Sequence, residues 1–138
     1  MSDTNTQLVR RFFDELCNGR RTDSAGELCR PDFAFHDPQA PPVTGPDGIA
    51  AHLGIYHDAV DAHWDLTDLI PAGEHVIARW TATGTHRSEL MGIAPTGRSI
   101  EVQGISIFRA ADGQLAEEWS VWDALGLLQQ LGAIPVPA

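Results

Sequence analysis

The sequence predicts an α+β fold in which a curved antiparallel sheet wraps around N-terminal helices and leaves a cone-shaped pocket. Three observations carry this. Apolar residues recur at helical spacing through the first part of the chain. After His63 the pattern turns strand-like and stays so to Trp122. The helical runs precede the strands instead of alternating with them, which is the order of α+β proteins. With 138 residues, the chain fits one domain, 1–138, able to bury its own core without metal or disulfide staples.

Each element follows from local chemistry. Asp3 or Thr4 caps a helix whose stripe is Leu8, Val9, Phe12, Phe13 and Leu16, and Asn18-Gly19 closes it as a left-handed stop. Asp23 or Ser24 starts a short helix that runs through Cys29 and ends at Pro31. Phe33–His36 is a short strand entering Asp37-Pro38, and PQAPPVTGP (38–46) is loop, with four prolines and a glycine. A third helix starts near Pro46, a residue favoured in the first turn, and carries Ile49, Leu53, Tyr56 and Val60 on one side. Four strands follow as a meander: WDLTDLI from Trp64, then 75–86, 99–109 and QLAEEWSVW at 114–122. Turns at Pro71–Glu74 and Ala111–Gly113 join the first to the second and the third to the fourth. A short helix at 124–131 stops at Gly132.

Composition excludes several functions. Nineteen acidic and nine basic side chains leave a charge of −10, the wrong sign for nucleic acid or an anionic membrane surface. All nine basic residues are Arg. Without a Lys amine there is no Schiff base, no pyridoxal phosphate attachment and no phosphate-loop lysine. No secretory leader or spanning segment is read at the start or within, so a cytoplasmic location is expected, with Cys17 and Cys29 as reduced core residues. His52, His57 and His63 fall at spacings of five and six on different helix faces, so no metal site is expected, and no nucleotide motif is present.

Several local motifs fall at set places along this order: Val9–Phe13 with Asn18-Gly19, Pro31–Phe33, Thr44–Pro46, Gly84–His86, Leu90–Gly92 and Pro95–Arg98. Phe108-Arg109 with Asp112-Gly113, and Gln129–Gly132, complete them. Together with the order of elements they resemble the nuclear transport factor 2-like superfold, and within it the SnoaL-like polyketide cyclases, or ester cyclases. The resemblance implies a homodimer and a cofactor-independent ring closure of an aromatic polyketide ester. In those cyclases an Asp on the last strand is the acid/base group and a His on the preceding strand stands near it. Counted from the Phe108–Gly113 hairpin, these positions fall on Ser120 and Ser106. A serine hydroxyl is no useful base at neutral pH without a second group to activate it. Asp123, three residues past Ser120, is the nearest carboxylate, with the N-cap of the last helix as its alternative role.

His36-Asp37-Pro38 is then the leading candidate site. Ketosteroid isomerases of the wider superfold keep their general-base Asp just before such a Pro, and Asp37 resembles that position. The Tyr and second acid of those isomerases fall on Phe12 and Ser106, so their oxyanion hole is missing. Asp37 is read as the catalytic acid/base or as the Asx turn of the Asp-Pro bend, and His36 as its partner or as an outward strand residue. His86 lines the mouth or bonds a loop carbonyl. Ser106, Ser120, Trp122, Tyr56 and Trp80 are expected in the pocket wall, Tyr56 alternatively in the helix–sheet seam. Three functions remain open. The first is a cyclase or isomerase of a small, apolar, polyketide-like molecule. The second is a diverged hydroxylation, epoxide-opening or ring-closure enzyme. The third is a non-catalytic small-ligand module.

Overall fold

A computed structural model describes residues 2–137. Helix α1 (Ser2–Arg11) runs on as a π-helical segment (Phe12–Asn18). The wider turn carries Phe12, Phe13, Leu16 and Cys17 inward together. Gly19 is not the left-handed stop: its φ is −75°, and Arg20 takes the positive φ of 55°. Gly19 is needed for space, because a Cβ there would lie 2.7 Å from the Glu15 carbonyl oxygen. Asn18 then ties this end to the sheet. Its amide donates to the Trp64 carbonyl (2.7 Å) and accepts from the Trp64 N–H (2.8 Å).

Helix α2 (Ser24–Leu28) is one turn, and strand β1 (Cys29–His36) begins where the sequence was read as still helical. Pro31 sits inside β1 near its start, before the run paired with β6. Part of the proline-rich stretch is also strand: β2 (Val43–Thr44) pairs antiparallel with Ala34 and Phe35. Helix α3 (Gly45–Val60) has Pro46 in its first turn and ends with Asp61 in the left-handed conformation. Strands β3 (His63–Ala72), β4 (His75–Thr85), β5 (Ser99–Ala111) and β6 (Gln114–Trp122) form the expected meander, and α4 (Ala124–Gln130) follows.

The six strands make one curved, unclosed sheet in the order β2-β1-β6-β5-β4-β3. It is antiparallel except at β1–β6, which is parallel because the long excursion through α3 and the meander brings the last strand back beside the first. Parity decides which residues face the helices. On β5, Ile100, Val102, Ser106, Phe108 and Ala110 are buried while their neighbours point out. Phe12, Phe13 and Phe108 meet edge to face, with ring centroids 5.2–6.0 Å apart, and lock the π segment to the sheet. Cys17 and Cys29 are free thiols in the core, and burial pushes both thiols up.

Candidate active site

A cavity of about 730 Å³, its open mouth included, lies between the concave sheet face and the π segment, α3 and Leu127 of α4. Its wall is aromatic and aliphatic, from Phe12, Phe13, Phe35, Trp64, Trp80, Trp122, Ile49 and Leu53 among others. Among the described residues no arginine lines it, and its carboxylic side chains are Asp37 and Glu118. Its polar groups form two sets.

The first set lies where β1 and β6 end. Asp37 follows the last residue of β1 and is 7% exposed. Its Oδ1 accepts from the Gln39 N–H (2.8 Å), which is the Asx turn of the Asp-Pro bend. Its Oδ2 accepts from the Trp122 indole N–H (2.9 Å). The carboxyl is therefore an Asx turn and a cavity group at once. Helix α3 sets two rings nearby. Tyr56 meets Trp122 edge to face at 6.3 Å, and His52 packs on Phe35 at 4.7 Å and on Tyr56 at 5.4 Å. Burial, and after it the Asp37 charge, pushes the Tyr56 phenol up to about 12. Burial lowers His52 against an opposing pull from Asp37. At neutral pH Tyr56 is thus a phenol and His52 an uncharged imidazole.

The second set lines the sheet wall. Ser106 and Ser120 face each other across β5 and β6, and the Ser106 hydroxyl donates to the Ser120 oxygen at 3.3 Å. The Trp80 indole N–H donates to the Ser106 oxygen (3.0 Å). This reach needs Gly104, because a Cβ there would stand 2.3 Å from the Trp80 ring. Beside the serines is Glu118, 4% exposed, whose Oε1 has no hydrogen-bond partner. Burial pushes its carboxyl up to about 8, opposed by the neighbouring Ser106 hydroxyl and reinforced by the Asp37 charge. At pH 7 it is mostly a neutral acid.

Of the sequence candidates, the cavity wall thus contains Asp37, Tyr56, Trp80, Ser106, Ser120 and Trp122. Two placements are corrected. His36 is on the opposite face: its Nε2 lies 2.7 Å from Glu117 and its ring stacks on Trp119. As the last residue of β1 it has the parity opposite to Asp37. His86 is fully buried but lies outside the cavity wall. Its Nδ1 accepts from the Thr96 N–H (3.1 Å) and lies 3.0 Å from the Thr96 hydroxyl, so it fastens the 87–98 loop through Thr96 and not through a carbonyl. Asp123 caps α4, accepting from the Gly126 N–H at 2.9 Å. Glu118 and His52 were missed. The signal for Glu118 was present, since it shares strand parity with Ser120 and Trp122. His52 precedes Leu53, and Tyr56 is four residues on, so all three turn toward the cavity.

The model of the SnoaL-like polyketide cyclase family matches residues 7–131. This chain belongs to that family. The aklanonic acid methyl ester cyclase DnrD of Streptomyces peucetius is 29% identical over 135 residues, covering 94% of this chain and 91% of DnrD. The aklanonic acid methyl ester cyclase DauD of Streptomyces sp. (strain C5) is also 29% identical, covering 91% of this chain and 80% of DauD. The solved structure of TsrD from Streptomyces laurentii superposes with a TM-score of 0.86 at 29% identity, over 97% of this chain and 98% of TsrD. The nuclear transport factor 2-like architecture of this SnoaL-like chain is therefore shared along nearly its whole length.

Proposed function

We propose that this chain is a cofactor-independent cyclase that closes a ring in a small, apolar, polyketide-like ester, with Asp37 as general base. The observation that carries this is the Asp37 carboxyl at the edge of a largely apolar cavity, held by the Trp122 indole and flanked by Tyr56 and His52. Two hydrogen bonds fix the carboxyl in direction. The aromatic walls hold a flat substrate so that its acidic C–H meets that oxygen. Asp37 takes the proton, and the phenol of Tyr56 is the nearby donor for enolate oxygen. Ser120 and Ser106 stand in for the Asp and His of the cyclases, so the proton chemistry moves from the last strand to the end of the first.

The Ser106–Ser120 contact favours a second reading. Without titrating groups at those two positions, the same cavity suits a diverged hydroxylation, epoxide-opening or ring-folding reaction, or ligand binding alone. Turnover that needs oxygen and a reductant separates hydroxylation from ring closure.

The test is Asp37→Asn with aklanonic acid methyl ester or a related aromatic polyketide ester. The expected loss is roughly 10²–10⁴-fold in kcat/KM. A loss within about threefold removes Asp37 from the mechanism. The proposal places the protein in the cytoplasm, in secondary metabolism, as a homodimer. The outer sheet face supports the dimer, because Ile105, Ile107, Trp119 and Val121 are exposed side by side there. Sizing chromatography checks it.

A further inference from the structure

Glu118 has no structural use for its acid group. Asp37 caps a bend and Glu117 holds an ion pair. Glu118 is in the cavity wall, nearly all out of water, with one oxygen unpaired. A buried polar atom without a partner costs folding free energy. That cost is removed if a ligand completes the bond.

We propose that Glu118 is a second catalytic residue: a neutral carboxylic acid that hydrogen-bonds, and then protonates, the carbonyl oxygen attacked during ring closure. This rests on the cyclase reading and adds the electrophile's partner to it. Asp37 removes a proton from the substrate C–H. The resulting enolate carbon forms the new C–C bond, and the π bond of the attacked C=O breaks. Its electron pair goes to the oxygen, which takes the Glu118 proton and becomes a hydroxyl. Asp37 is left protonated and Glu118 ionised; each then exchanges one proton with water, so the reaction is an isomerisation with no co-reactant.

The surroundings favour the protonated acid on every side but one, the Ser106 hydroxyl, whose effect is smaller than that of burial. Ser106 on β5 and Ser120 on β6 are neutral hydroxyls, and the Trp80 indole on β4 is already committed to Ser106. Cys17 in the π segment and Cys29 on β1 are buried thiols, held neutral by burial. His52 and Tyr56 on α3 are uncharged at neutral pH. Asp37 is the one negative group that acts on Glu118, and it favours the protonated form. Among the described residues no arginine lines the cavity to favour the ionised form.

Fluorenone, a flat neutral aromatic ketone, serves as probe. It is expected to bind with its C=O stretch lowered in the infrared. Its affinity is expected to hold to about pH 8 and then to fall by about tenfold per pH unit, because an ionised carboxylate cannot donate. Glu118→Gln keeps a donor that does not titrate, so binding persists and the pH dependence vanishes. Its turnover of a polyketide ester is expected to fall roughly 100-fold, since an amide cannot give up the proton. A carbon-13 carboxyl titration of the wild type, assigned with Glu118→Gln, needs no ligand. A Glu118 carboxyl already ionised at pH 5 overturns the proposal whether or not fluorenone binds. So does fluorenone binding that is flat from about pH 6 to 10. Neither outcome touches Asp37, whose role stands or falls with Asp37→Asn.

Discussion

Glu117 and Glu118 are the same side chain one residue apart on β6, in opposite environments. Glu117 points to the outer face, where its oxygens lie 2.7 Å from His36 and 3.2 Å from Arg109. The bond with His36 holds its carboxyl below the usual range, against a small desolvation cost and with help from Arg109. Glu118 points inward, has no cation to pair with, and is pushed up to about 8 by burial. His36 and Asp37 divide the same way at the end of β1. The outer pair, His36 and Glu117, meets as a stabilising contact. The inner pair, Asp37 and Glu118, faces the cavity. Acid strength here is a property of the sheet face and not of the residue type.

The comparison can be broken at four points. The largest effect is expected from the β1 pair. Asp37→Asn loses roughly 10²–10⁴-fold in kcat/KM, while His36→Ala stays within about twofold, because His36 reaches the outer face only. Equal losses from the two would show that the faces are not separate.

The β6 pair differs in the pH dependence of stability. The folded value of Glu118 lies above the ordinary carboxyl value of 4.5. Its contribution is therefore whole below about pH 4.5 and is lost as the pH rises through about 8. Glu118→Gln removes that loss. Its stability relative to wild type is expected to improve by about 2 kcal/mol or more between pH 5 and 9, read from urea denaturation at each pH.

Gly104→Ala tests what holds the inner face together. The added Cβ drives into the Trp80 ring and displaces the indole from Ser106. A stability loss of about 2 kcal/mol is expected, with a shift in tryptophan fluorescence. Glu117→Gln is the smallest. A partly exposed ion pair contributes at most about 1 kcal/mol, and what little it adds fades as the pH falls and Glu117 protonates. Activity is expected to be unchanged.

Most of the fold was legible in the sequence. The change of period at His63 marked where helices give way to strands, and Gly113 and Gly132 marked their ends. The misplaced details have local causes. The π segment conceals itself because positions i, i+4 and i+5 also fit an ordinary helical stripe. Cys29 and Pro31 read as the end of a helix because nothing nearby in sequence shows that β6 lies alongside. His86 was read as the end of a strand, at the mouth or on a loop carbonyl, but β4 ends at Thr85 and the residue passes into a loop, where it holds Thr96.

The sequence by itself determined the order of the main helices and long strands, the family, and which residues of each strand share a face. It also placed Asp37 at the end of a strand, beside a proline that bends the chain there. Only the tertiary structure decided what each of those faces meets. Asp37 and Trp122 are 85 residues apart and bond because β1 and β6 run parallel side by side, which brings the residue after β1 to the end of β6. Glu118 is an unusual acid because helices from the first half of the chain close over the sheet and exclude water from it. Parity is a local property of two or three residues, whereas burial sums over elements distant in the chain. A pair such as Glu117-Glu118 therefore reads as two equal acids until the sheet has a covered side and an open one.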